Sequence, residues 1–448
     1  MNIDLLLKTF NQHPNKKAII FNKKTFLYKD IIQQNNKWVN VLKINKIKPG
    51  HVVSLISDYS FQSISLIITL IKNRNIIVPI VPSKNKDLLE FYEISHTQFI
   101  IKLLKNSYSI IENKAPSPKN NKILFKLIAT KSPGLVLFTS GTTGKPKAVL
   151  HNFDKLLQKF INADKQHKTL CFLMFDHIAG IDTYFYSLFS GGIAVLPISR
   201  SPEYICNLIE QHKIEVLPTS PTFLNILLMS EKYQKYDLKS LKIITFGSEA
   251  MPEFLLNQLK IKFKGIKLIQ KYGMTEFGSP NSKTNKRDSS WLKLNSDKFK
   301  TKIIDDVLYI KTGTTMVGYL NSPSPFTNDG WFKTGDTVKV SGDYIKILGR
   351  KSEIINVGGE KVYPQEIENV LLKIDNICEA LVYGEKNAIL GSIVCAKIWL
   401  KKKEDHKIIV AKIKKYCSKK IERYKIPVKI KISSKKQYNK NYKKIRTL

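Results

Sequence analysis

Cysteine is rare in this sequence, and long apolar runs are absent. Five cysteines are scattered along 448 residues and none belongs to a CxxC pair, which indicates reduced thiols and no zinc site. No run reaches the roughly 18 apolar residues that a transmembrane helix needs, so no membrane-spanning segment is expected. The segment before residue 11 carries acidic Asp4 and no basic stretch followed by a long apolar run, which argues against a secretory signal. These features predict a cytoplasmic protein.

Arginine is also scarce, although the chain is strongly basic. The formal net charge is +38, yet only six of the 74 basic residues are arginine. Lysine, isoleucine and asparagine are abundant everywhere, which favours a general compositional bias over a localised binding stripe. We therefore expect solvated lysine faces and no specific nucleic-acid partner, although charge alone would also suit a nucleic-acid or anionic membrane surface.

The length of the chain predicts two or three domains. Residues 1–130 and 169–271 alternate short apolar strands with helical periods, including predicted helices at 202–212 and 221–229. This strand–helix–strand alternation is typical of an α/β fold with mostly parallel sheets.

The remaining third of the chain follows a different pattern. Residues 305–348 form short β segments with turns. After Gly349 a β–α–β pattern resumes, with helices predicted near 365–373 and 407–425. A stretch of this length fits a small α+β domain.

A loop rich in glycine, hydroxyl and lysine side chains follows an apolar strand at residues 139–147. Glycines let the backbone approach a ligand, while hydroxyls, backbone N–H groups and lysines suit a polyphosphate. Pro146 follows Gly144 and Lys145 where a Walker-type loop needs Ser or Thr, so a P-loop NTPase is not implied. The alternative is a flexible surface loop. The candidate ATP-binding residues of this loop are Thr139, Ser140, Gly141, Thr142, Thr143, Gly144, Lys145 and Lys147.

The string FTSGTTGKPKAV at residues 138–149 resembles the signature of the adenylate-forming superfamily, which includes acyl-CoA synthetases, adenylation domains of nonribosomal peptide synthetases, and luciferases. Further motifs follow in the family's order and cover essentially the whole chain. The resemblance implies a large N-terminal α/β domain at residues 1–349, which binds ATP and the acid. It also implies a small mobile α+β C-terminal domain at 350–448. The implied cofactors are ATP and Mg²⁺, with CoA or a phosphopantetheine carrier as the acyl acceptor.

Two motifs in the middle of the chain are similar to the acid and adenine sites of that superfamily. FDHIAGID places His177 at the family's gate to the acid pocket, although a histidine that merely starts a helix is the alternative. FGSEAMP follows a predicted strand, so Gly247, Ser248 and Glu249 lie at a strand's carboxyl end, where open α/β sheets bind ligands. The family uses this turn against adenine and the acid pocket.

KYGMTEFG at residues 271–278 resembles a second superfamily motif. The resemblance implies that Tyr272 lies along the adenine beside Gly273, that Thr275 binds the α-phosphate, and that Glu276 holds Mg²⁺. The residue types suit these roles, since a hydroxyl can donate to phosphate and a carboxylate oxygen is a hard ligand for a hard cation. Without the family context, a Thr-Glu pair would favour a helix N-terminus.

The motifs DGWFKTGDT and LGRKSEIINVGGEKVYPQEIENVL extend the resemblance. They imply that Asp336 and Arg350 contact the ribose. Ser352 takes the hinge position, where the family usually has Asp or Lys. Gly358 and Gly359 resemble the strand that lines the thiol tunnel after the C-terminal domain rotates. A hinge residue needs only to absorb a φ/ψ change, so Ser352 puts the rate in doubt more than the mechanism.

The end of the chain, YNKNYKKIRTL, resembles the family's Asn-Gly-Lys turn, with Tyr442 in place of glycine. The resemblance implies that Lys443 reaches the attacking carboxylate and the α-phosphate, where a mobile ammonium can neutralise developing charge. An alignment shifted by one residue gives Lys444 instead. Neither lysine being catalytic is the third alternative.

We therefore expect an AMP-forming acid–thiol ligase for a fatty, small organic or aryl acid, with Lys443, Thr275 and His177 in catalysis. An acyl carrier protein could supply the thiol. One alternative is a stand-alone amino-acid or amide-forming enzyme, in which Asp176 or Asp182 would meet the α-ammonium. The other is a catalytically degenerate nucleotide-binding homologue, which Tyr442 and Ser352 motivate. The sequence leaves the identity of the acid open.

Overall fold

A computed structural model describes residues 1–82, 88–114, 116–140, 145–279, 283–284, 290–294, 299–434 and 438. Helices and strands are numbered in chain order within these residues. The helices are α1 (Asn2–Gln12), α2 (Tyr28–Ile44), α3 (Phe61–Lys72), α4 (Leu88–Ser95), α5 (Lys122–Ala129), α6 (Phe153–Leu157), α7 (Ile178–Phe189), α8 (Pro202–His212), α9 (Pro221–Ser230), α10 (Glu253–Lys262), α11 (Pro364–Leu371) and α12 (His406–Cys417).

The strands belong to four sheets. The first thirteen are β1 (Lys17–Phe21), β2 (Lys24–Leu27), β3 (Val52–Ile56), β4 (Ile76–Ile80), β5 (Phe99–Leu103), β6 (Tyr108–Glu112), β7 (Gly134–Ser140), β8 (Pro146–Asn152), β9 (Lys168–Leu170), β10 (Ile193–Leu196), β11 (Val216–Thr219), β12 (Ile243–Phe246) and β13 (Lys267–Gln270). The others are β14 (Lys283–Thr284), β15 (Leu292–Lys293), β16 (Phe299–Ile304), β17 (Val307–Thr312), β18 (Gly318–Tyr319), β19 (Phe332–Ser341), β20 (Tyr344–Arg350), β21 (Ile355–Val357), β22 (Glu360–Val362), β23 (Ile377–Asn387), β24 (Gly391–Leu400) and β25 (Lys429–Ile432).

Two seven-stranded sheets form the N-terminal part of the fold. The first has the order β18-β8-β7-β4-β3-β5-β6, and the second β13-β12-β11-β9-β10-β1-β2. The second sheet is parallel except for the β1–β2 hairpin. In the first sheet β3, β4, β5 and β7 are parallel, β6 and β8 run opposite to them, and β18 pairs antiparallel with β8. The predicted α/β class is therefore confirmed, with a mixed first sheet because the connection from β7 to β8 is too short for a parallel crossover.

The main core lies between these two sheets. It joins α1, α2, α3 and α7 to inward-facing residues of both sheets, such as Leu55 of β3 and Ala194 of β10. Helices α8, α9 and α10 cover the outer face of the second sheet, and α4 and α5 cover the outer face of the first. Because both faces of these sheets are covered, strands such as β3 are buried at every position.

Local signals explain the helix starts that the sequence predicted correctly. Helix α8 begins as predicted, because the Ser201 hydroxyl accepts the Tyr204 N–H and Pro202 takes the first helical position. The helix ends at Lys213, whose left-handed φ of 50° stops it.

The predicted helix at 407–425 was too long. Helix α12 ends at Cys417, because its buried positions, Ile409, Ile413 and Cys417, end there.

Two smaller sheets complete the described chain. An antiparallel sheet of order β14-β15-β20-β19-β17-β16 covers the region predicted as short β segments. A five-stranded sheet contains β21 to β25 and packs against α11 and α12. Strand β20 ends at Arg350 and β21 begins at Ile355, so the predicted boundary between residues 349 and 350 falls at the end of β20. Whether the two parts act as separate domains stays a prediction.

Candidate active site

An open cleft of about 2850 Å³ lies at the carboxyl ends of β7, β12 and β13. Ligands bind at this edge in open α/β sheets, because loops there leave the strand ends accessible. The predicted site residues that line it are Thr139, Lys147, His177, Gly247, Ser248, Gly273, Thr275, Glu276, Arg350 and Ser352. Tyr272 and Asp336 lie buried behind this lining. Residues 141–144, Lys443 and Lys444 lie outside the described residues.

The glycine-rich loop is anchored by the strands on either side of it. Thr139 of β7 pairs with Lys147 of β8 across the hairpin. Asn321 holds the returning strand, since its Oδ1 accepts the Ala148 N–H at 3.0 Å and its Nδ2 donates to the Pro146 carbonyl at 2.8 Å. Sequence analysis did not identify Asn321, because it lies far along the chain and belongs to no motif.

Glu276 is held by a neighbour that no motif indicated. Its buried Oε1 accepts a hydrogen bond from the Tyr319 hydroxyl at 2.8 Å. The Lys147 ammonium lies 5.3 Å from the centre of the Tyr319 ring, close enough for a cation–π contact. Tyr319 therefore connects the candidate metal ligand to the candidate phosphate loop.

The candidate Mg²⁺ ligand in the described part of the cleft is Glu276. The described residues contain no group of three His, Cys, Asp or Glu side chains placed to hold a metal. Mg²⁺ commonly binds one or two carboxylates together with substrate phosphates rather than an all-protein cage. The buried Glu276 carboxylate, facing the cleft beside Lys147, fits that pattern.

Thr275 is positioned by a buried histidine. The His151 Nε2–H donates to the Thr275 carbonyl at 2.7 Å. Burial lowers the pKa of His151 to about 4, so the ring is neutral at ordinary pH. His151 fixes the backbone of Thr275 without adding charge. Sequence analysis missed it, because a lone histidine in a strand carries no signal of its partner.

The predicted ribose-binding residues form one connected group. The Asp336 Oδ2 accepts the Tyr272 hydroxyl at 2.7 Å, and its Oδ1 lies 2.9 Å from the Arg350 Nε. Arg350 also donates through Nη1 to the Thr334 carbonyl at 2.7 Å. Burial raises the pKa of Asp336, while Arg350 and Tyr272 oppose that rise. A carboxylate retains lone pairs beyond these two contacts, so the group could still accept from a diol.

The turn after β12 needs its glycine. A Cβ at Gly247 would lie 2.4 Å from the Lys271 carbonyl, so no other residue fits without moving β13. Ser248 has a left-handed φ of 69° and is exposed in the cleft. The Glu249 carboxylate accepts the Thr222 hydroxyl at 2.6 Å.

His177 both starts a helix and faces the cleft. It is the N-terminal cap residue of α7, and its Nε2 lies 3.7 Å from the buried Asp176 carboxylate. His177 thus starts a helix, and its role as a gate to the acid pocket stays a prediction.

Asp182, the candidate partner for an α-ammonium, already has a cation. Its Oδ1 lies 2.5 Å from the Lys159 Nζ, and both side chains line the cleft. This ion pair disfavours the amino-acid alternative for Asp182.

The hinge and thiol-side predictions fall on turns. Ser352 is exposed in the short 3₁₀ helix Lys351–Glu353 at the rim of the cleft. Gly358 and Gly359 form the tight turn between β21 and β22, with φ of 58° and 92°. Neither glycine belongs to the cleft lining. Their role in thiol binding stays a prediction.

Comparison with known proteins places this geometry in a family. Residues 6–296 match the AMP-binding enzyme family, and residues 366–443 match the AMP-binding enzyme C-terminal domain. The chain belongs to the AMP-binding enzyme family. The resemblance seen in the sequence motifs is thereby confirmed.

Two curated proteins are similar to this chain. It is 30% identical over 325 residues to 2-succinylbenzoate–CoA ligase of Enterococcus faecalis, covering 67% of this chain and 65% of that protein. It is 29% identical over 331 residues to indoleacetate–CoA ligase of Aromatoleum aromaticum, covering 68% of this chain and 64% of the relative. The aligned segments thus span just under two thirds of these relatives.

Solved structures share the fold of this chain. An anthranilate CoA ligase in complex with anthranoyl-AMP superimposes with a TM-score of 0.85 at 19% identity, covering 99% of this chain and 95% of that one. The o-succinylbenzoate CoA synthetase of Bacillus subtilis, bound to its acyl-adenylate, gives 0.81 at 21% identity, covering 99% and 96%. None of the helices in the described part of the chain is both long and apolar enough to span a membrane.

Proposed function

We propose that this protein activates a carboxylic acid with ATP and transfers the acyl group to a thiol, with CoA as the acceptor. The observation that carries the proposal is the cleft itself. Strands from both large sheets bring Thr139, Lys147 and Thr275 to its wall, and the Asp336–Arg350 pair lies at the same edge. A nucleoside triphosphate and a carboxylic acid can therefore bind side by side in this cleft.

In the first step, a carboxylate oxygen of the acid attacks the α-phosphorus of ATP. A mixed anhydride bond forms between the carboxylate oxygen and the α-phosphorus, the bond from that phosphorus to the oxygen bridging to the β-phosphate breaks, and pyrophosphate leaves. Residues 139–147 hold the departing phosphates, Thr275 donates to the α-phosphate, and the Asp336–Arg350 pair binds the ribose. Glu276 would hold Mg²⁺, which would supply positive charge to the phosphates. Lys443, or Lys444 in the shifted alignment, binds the attacking carboxylate and the α-phosphate.

In the second step, the thiolate sulfur attacks the acyl carbon and AMP leaves. The C-terminal domain, residues 350–448, rotates about Ser352, which removes the lysine and brings the Gly358–Gly359 turn toward the thiol. His177 closes the acid pocket during adenylation. A phosphopantetheine thiol on an acyl carrier protein is the alternative acceptor.

An aromatic acid is the first substrate class to test. The named relatives act on 2-succinylbenzoate and indoleacetate, and a structural neighbour holds anthranoyl-AMP.

The five buried cysteines are free, which supports the proposal of a reducing, cytoplasmic location.

The decisive experiment measures pyrophosphate release from MgATP across aromatic, aliphatic and amino acids, with and without CoA. We expect release that depends on one acid class and thioester formation on adding CoA. Lys443→Ala should abolish release, while Lys440→Ala, in the same basic segment, should not. Loss only in Lys444→Ala would support the shifted alignment. Nucleotide binding without release from any acid would overturn the proposal in favour of a degenerate homologue.

A further inference from the structure

The connection between β9 and α7, residues 171–177, supplies part of the cleft wall. Leu173, Met174 and His177 line the cleft, although the connection is neither helix nor strand. Backbone that lacks a ladder of its own needs other partners to hold one conformation. The contacts that fix this connection therefore decide where the three side chains lie.

Arg200, which follows β10, holds the connection through its backbone. Its Nε donates to the Phe172 carbonyl at 2.7 Å, while the buried Phe172 ring packs against Phe223 with 4.3 Å between ring centres. The Arg200 side chain is 11% exposed, so water competes little for its hydrogen bonds. Both the ring and the carbonyl of Phe172 thus have fixed partners.

Asp58 orients the guanidinium from the other large sheet. It follows β3 of the first sheet, and its carboxylate accepts from Arg200 Nη1 at 3.1 Å and from Nη2 at 3.3 Å. Its Oδ1 also accepts the Tyr59 N–H at 2.7 Å, which fixes the carboxylate against its own backbone. One arginine therefore ties the carboxyl end of β3 to the segment that follows β9.

Tyr59 makes a second contact with the same connection. Its ring meets the Phe175 ring edge-on, with 5.4 Å between centres. A Cβ at Gly180, in the first turn of α7, would lie 2.0 Å from the Met174 carbonyl oxygen and 2.8 Å from the Tyr59 hydroxyl. Glycine at this position therefore lets the start of α7 approach Tyr59 closely.

An arginine is uncommon in this chain, in which six of 74 basic residues are arginine. A lysine has one ammonium, whereas the planar guanidinium donates in two directions at once. Arg200 directs Nε to a carbonyl and its terminal nitrogens to a carboxylate. Arg350 likewise contacts the Asp336 carboxylate and the Thr334 carbonyl. Both arginines thus occupy positions that lysine could not fill in the same way.

We infer that Arg200 is a positioning residue for acid activation, which holds the connection at residues 171–177 through the Phe172 carbonyl while Asp58 orients the guanidinium. Neither charged side chain lines the cleft, so both act through the backbone. The inference rests on the proposed function, since it names residues that support the same reaction. Because His177 is the proposed gate to the acid pocket, loss of Arg200 should affect the acid more than ATP.

The test compares steady-state pyrophosphate release, using whichever of indoleacetate, 2-succinylbenzoate, anthranilate and decanoate gives the wild type its highest kcat/KM. The variants are Arg200→Met, which removes every donor, Arg200→Lys, which keeps the charge without the fork, and Asp58→Asn. A double variant combines Arg200→Met with Asp58→Asn. Isothermal titration calorimetry gives the Kd for ATP. Arg74→Met is the control, because Arg74 is exposed and outside the cleft lining.

Arg200→Met should raise the KM for the acid roughly 10- to 100-fold, the range for a lost charge-assisted hydrogen bond, and leave the Kd for ATP within about twofold of wild type. Arg200→Lys should recover part of that loss, and Asp58→Asn should raise the KM by a smaller factor. The double variant should be no worse than Arg200→Met, because Asp58 acts through the guanidinium.

Two results in Arg200→Met would overturn the inference and leave the proposed function standing. One is an unchanged KM for the acid, and the other is a Kd for ATP that rises by the same factor as that KM. Additive losses in the double variant would also contradict it, since Asp58 would then act independently of Arg200. Absence of release by the wild type with every acid would remove the proposed function and this inference together.

Hydrogen–deuterium exchange shows whether the change is local. Amides of residues 171–180 should exchange faster in Arg200→Met than in wild type, while those of α10 should not change. Equal exchange at residues 171–180 in the two proteins would contradict the positioning role. If Arg200→Met fails to fold, Arg200→Lys decides, because a folded Arg200→Lys protein with the wild-type KM for the acid would show that the guanidinium fork is not needed.

Discussion

The Tyr319 hydroxyl donates to the Glu276 carboxylate at 2.8 Å, and both side chains are buried. The two residues are 43 positions apart in the chain and come from different elements. Tyr319 belongs to β18, the edge strand of the first sheet, while Glu276 follows β13 of the second. One hydrogen bond therefore links the two large sheets at the candidate metal ligand.

Tyr319→Phe tests whether this bond positions Glu276. The ring and its contact with Lys147 remain, but the buried carboxylate loses a donor. We expect pyrophosphate release to fall roughly tenfold at limiting Mg²⁺ and to recover at high Mg²⁺. A magnesium titration of the steady-state rate measures this. Tyr309→Phe, on β17 outside the cleft lining, is the control, and an unchanged magnesium dependence in Tyr319→Phe would exclude the positioning role.

Asp336→Ala should weaken ATP binding. It leaves the Arg350 guanidinium and the Tyr272 hydroxyl without their shared acceptor and removes the predicted ribose contact. We expect the Kd for ATP to rise roughly 10- to 100-fold, measured by isothermal titration calorimetry. The Kd of Asp336→Asn for ATP should lie between those of the wild type and Asp336→Ala, since an amide oxygen still accepts a hydrogen bond. Asp329→Ala, exposed in the same motif, serves as the control, and equal Kd values in both alanine variants would contradict the prediction.

His151 should make stability depend on pH. Its pKa falls from an ordinary 6.5 to about 4 in the folded protein, so between these values the unfolded chain binds a proton that the folded chain does not. Stability is therefore full above about pH 6.5 and is lost as the pH falls toward 4, by up to about 3 kcal/mol from this group. Urea unfolding at pH 7 and pH 4.5 measures the change.

His151→Gln provides the comparison for that titration. Glutamine can still donate to the Thr275 carbonyl but does not titrate. The free energy of unfolding of His151→Gln should change less between the two pH values than that of the wild type. Titration of the carboxylates contributes equally to both proteins, so the difference comes from His151. Identical pH slopes would show that His151 does not carry the effect.

Ser352→Pro should separate the two half-reactions. Proline fixes φ near −65°, which suits one conformation of the 3₁₀ helix but resists the rotation proposed for thiol transfer. We expect single-turnover adenylate formation to stay within about threefold of wild type and thioester formation to slow by roughly tenfold or more. Ser352→Ala should behave as wild type. Parallel losses in both steps would argue against a hinge at this position.

The α/β class and most elements of the N-terminal part could be predicted because their signals are local. Helix α8 shows this, since Ser201, Pro202 and the apolar spacing of residues 205–209 all lie within one short segment. The C-terminal end of α12 could not be predicted from such local signals. Its boundary depends on which residues cover the five-stranded sheet, and the lysine-rich segment after Cys417 has a high helix propensity of its own.

The candidate site also has residues that the sequence predicts and residues that it does not. Thr275, Glu276 and the glycine-rich loop are visible in the sequence because a ligand imposes residue types at fixed spacing. The partners that hold them are not visible. His151 and Tyr319 each contribute one hydrogen bond and Asn321 contributes two, across more than a hundred residues or between separate sheets, and no spacing rule connects such pairs.

The sequence by itself therefore determined the family, the fold class and the order of the ligand-contacting motifs along the chain. Only the tertiary structure decided that Lys159 pairs with Asp182 and that Tyr319 donates to Glu276. The physical reason is that charge balance in a pocket depends on distances and burial. Those quantities arise only when β13, α7 and the segment around Lys159 meet in the folded chain.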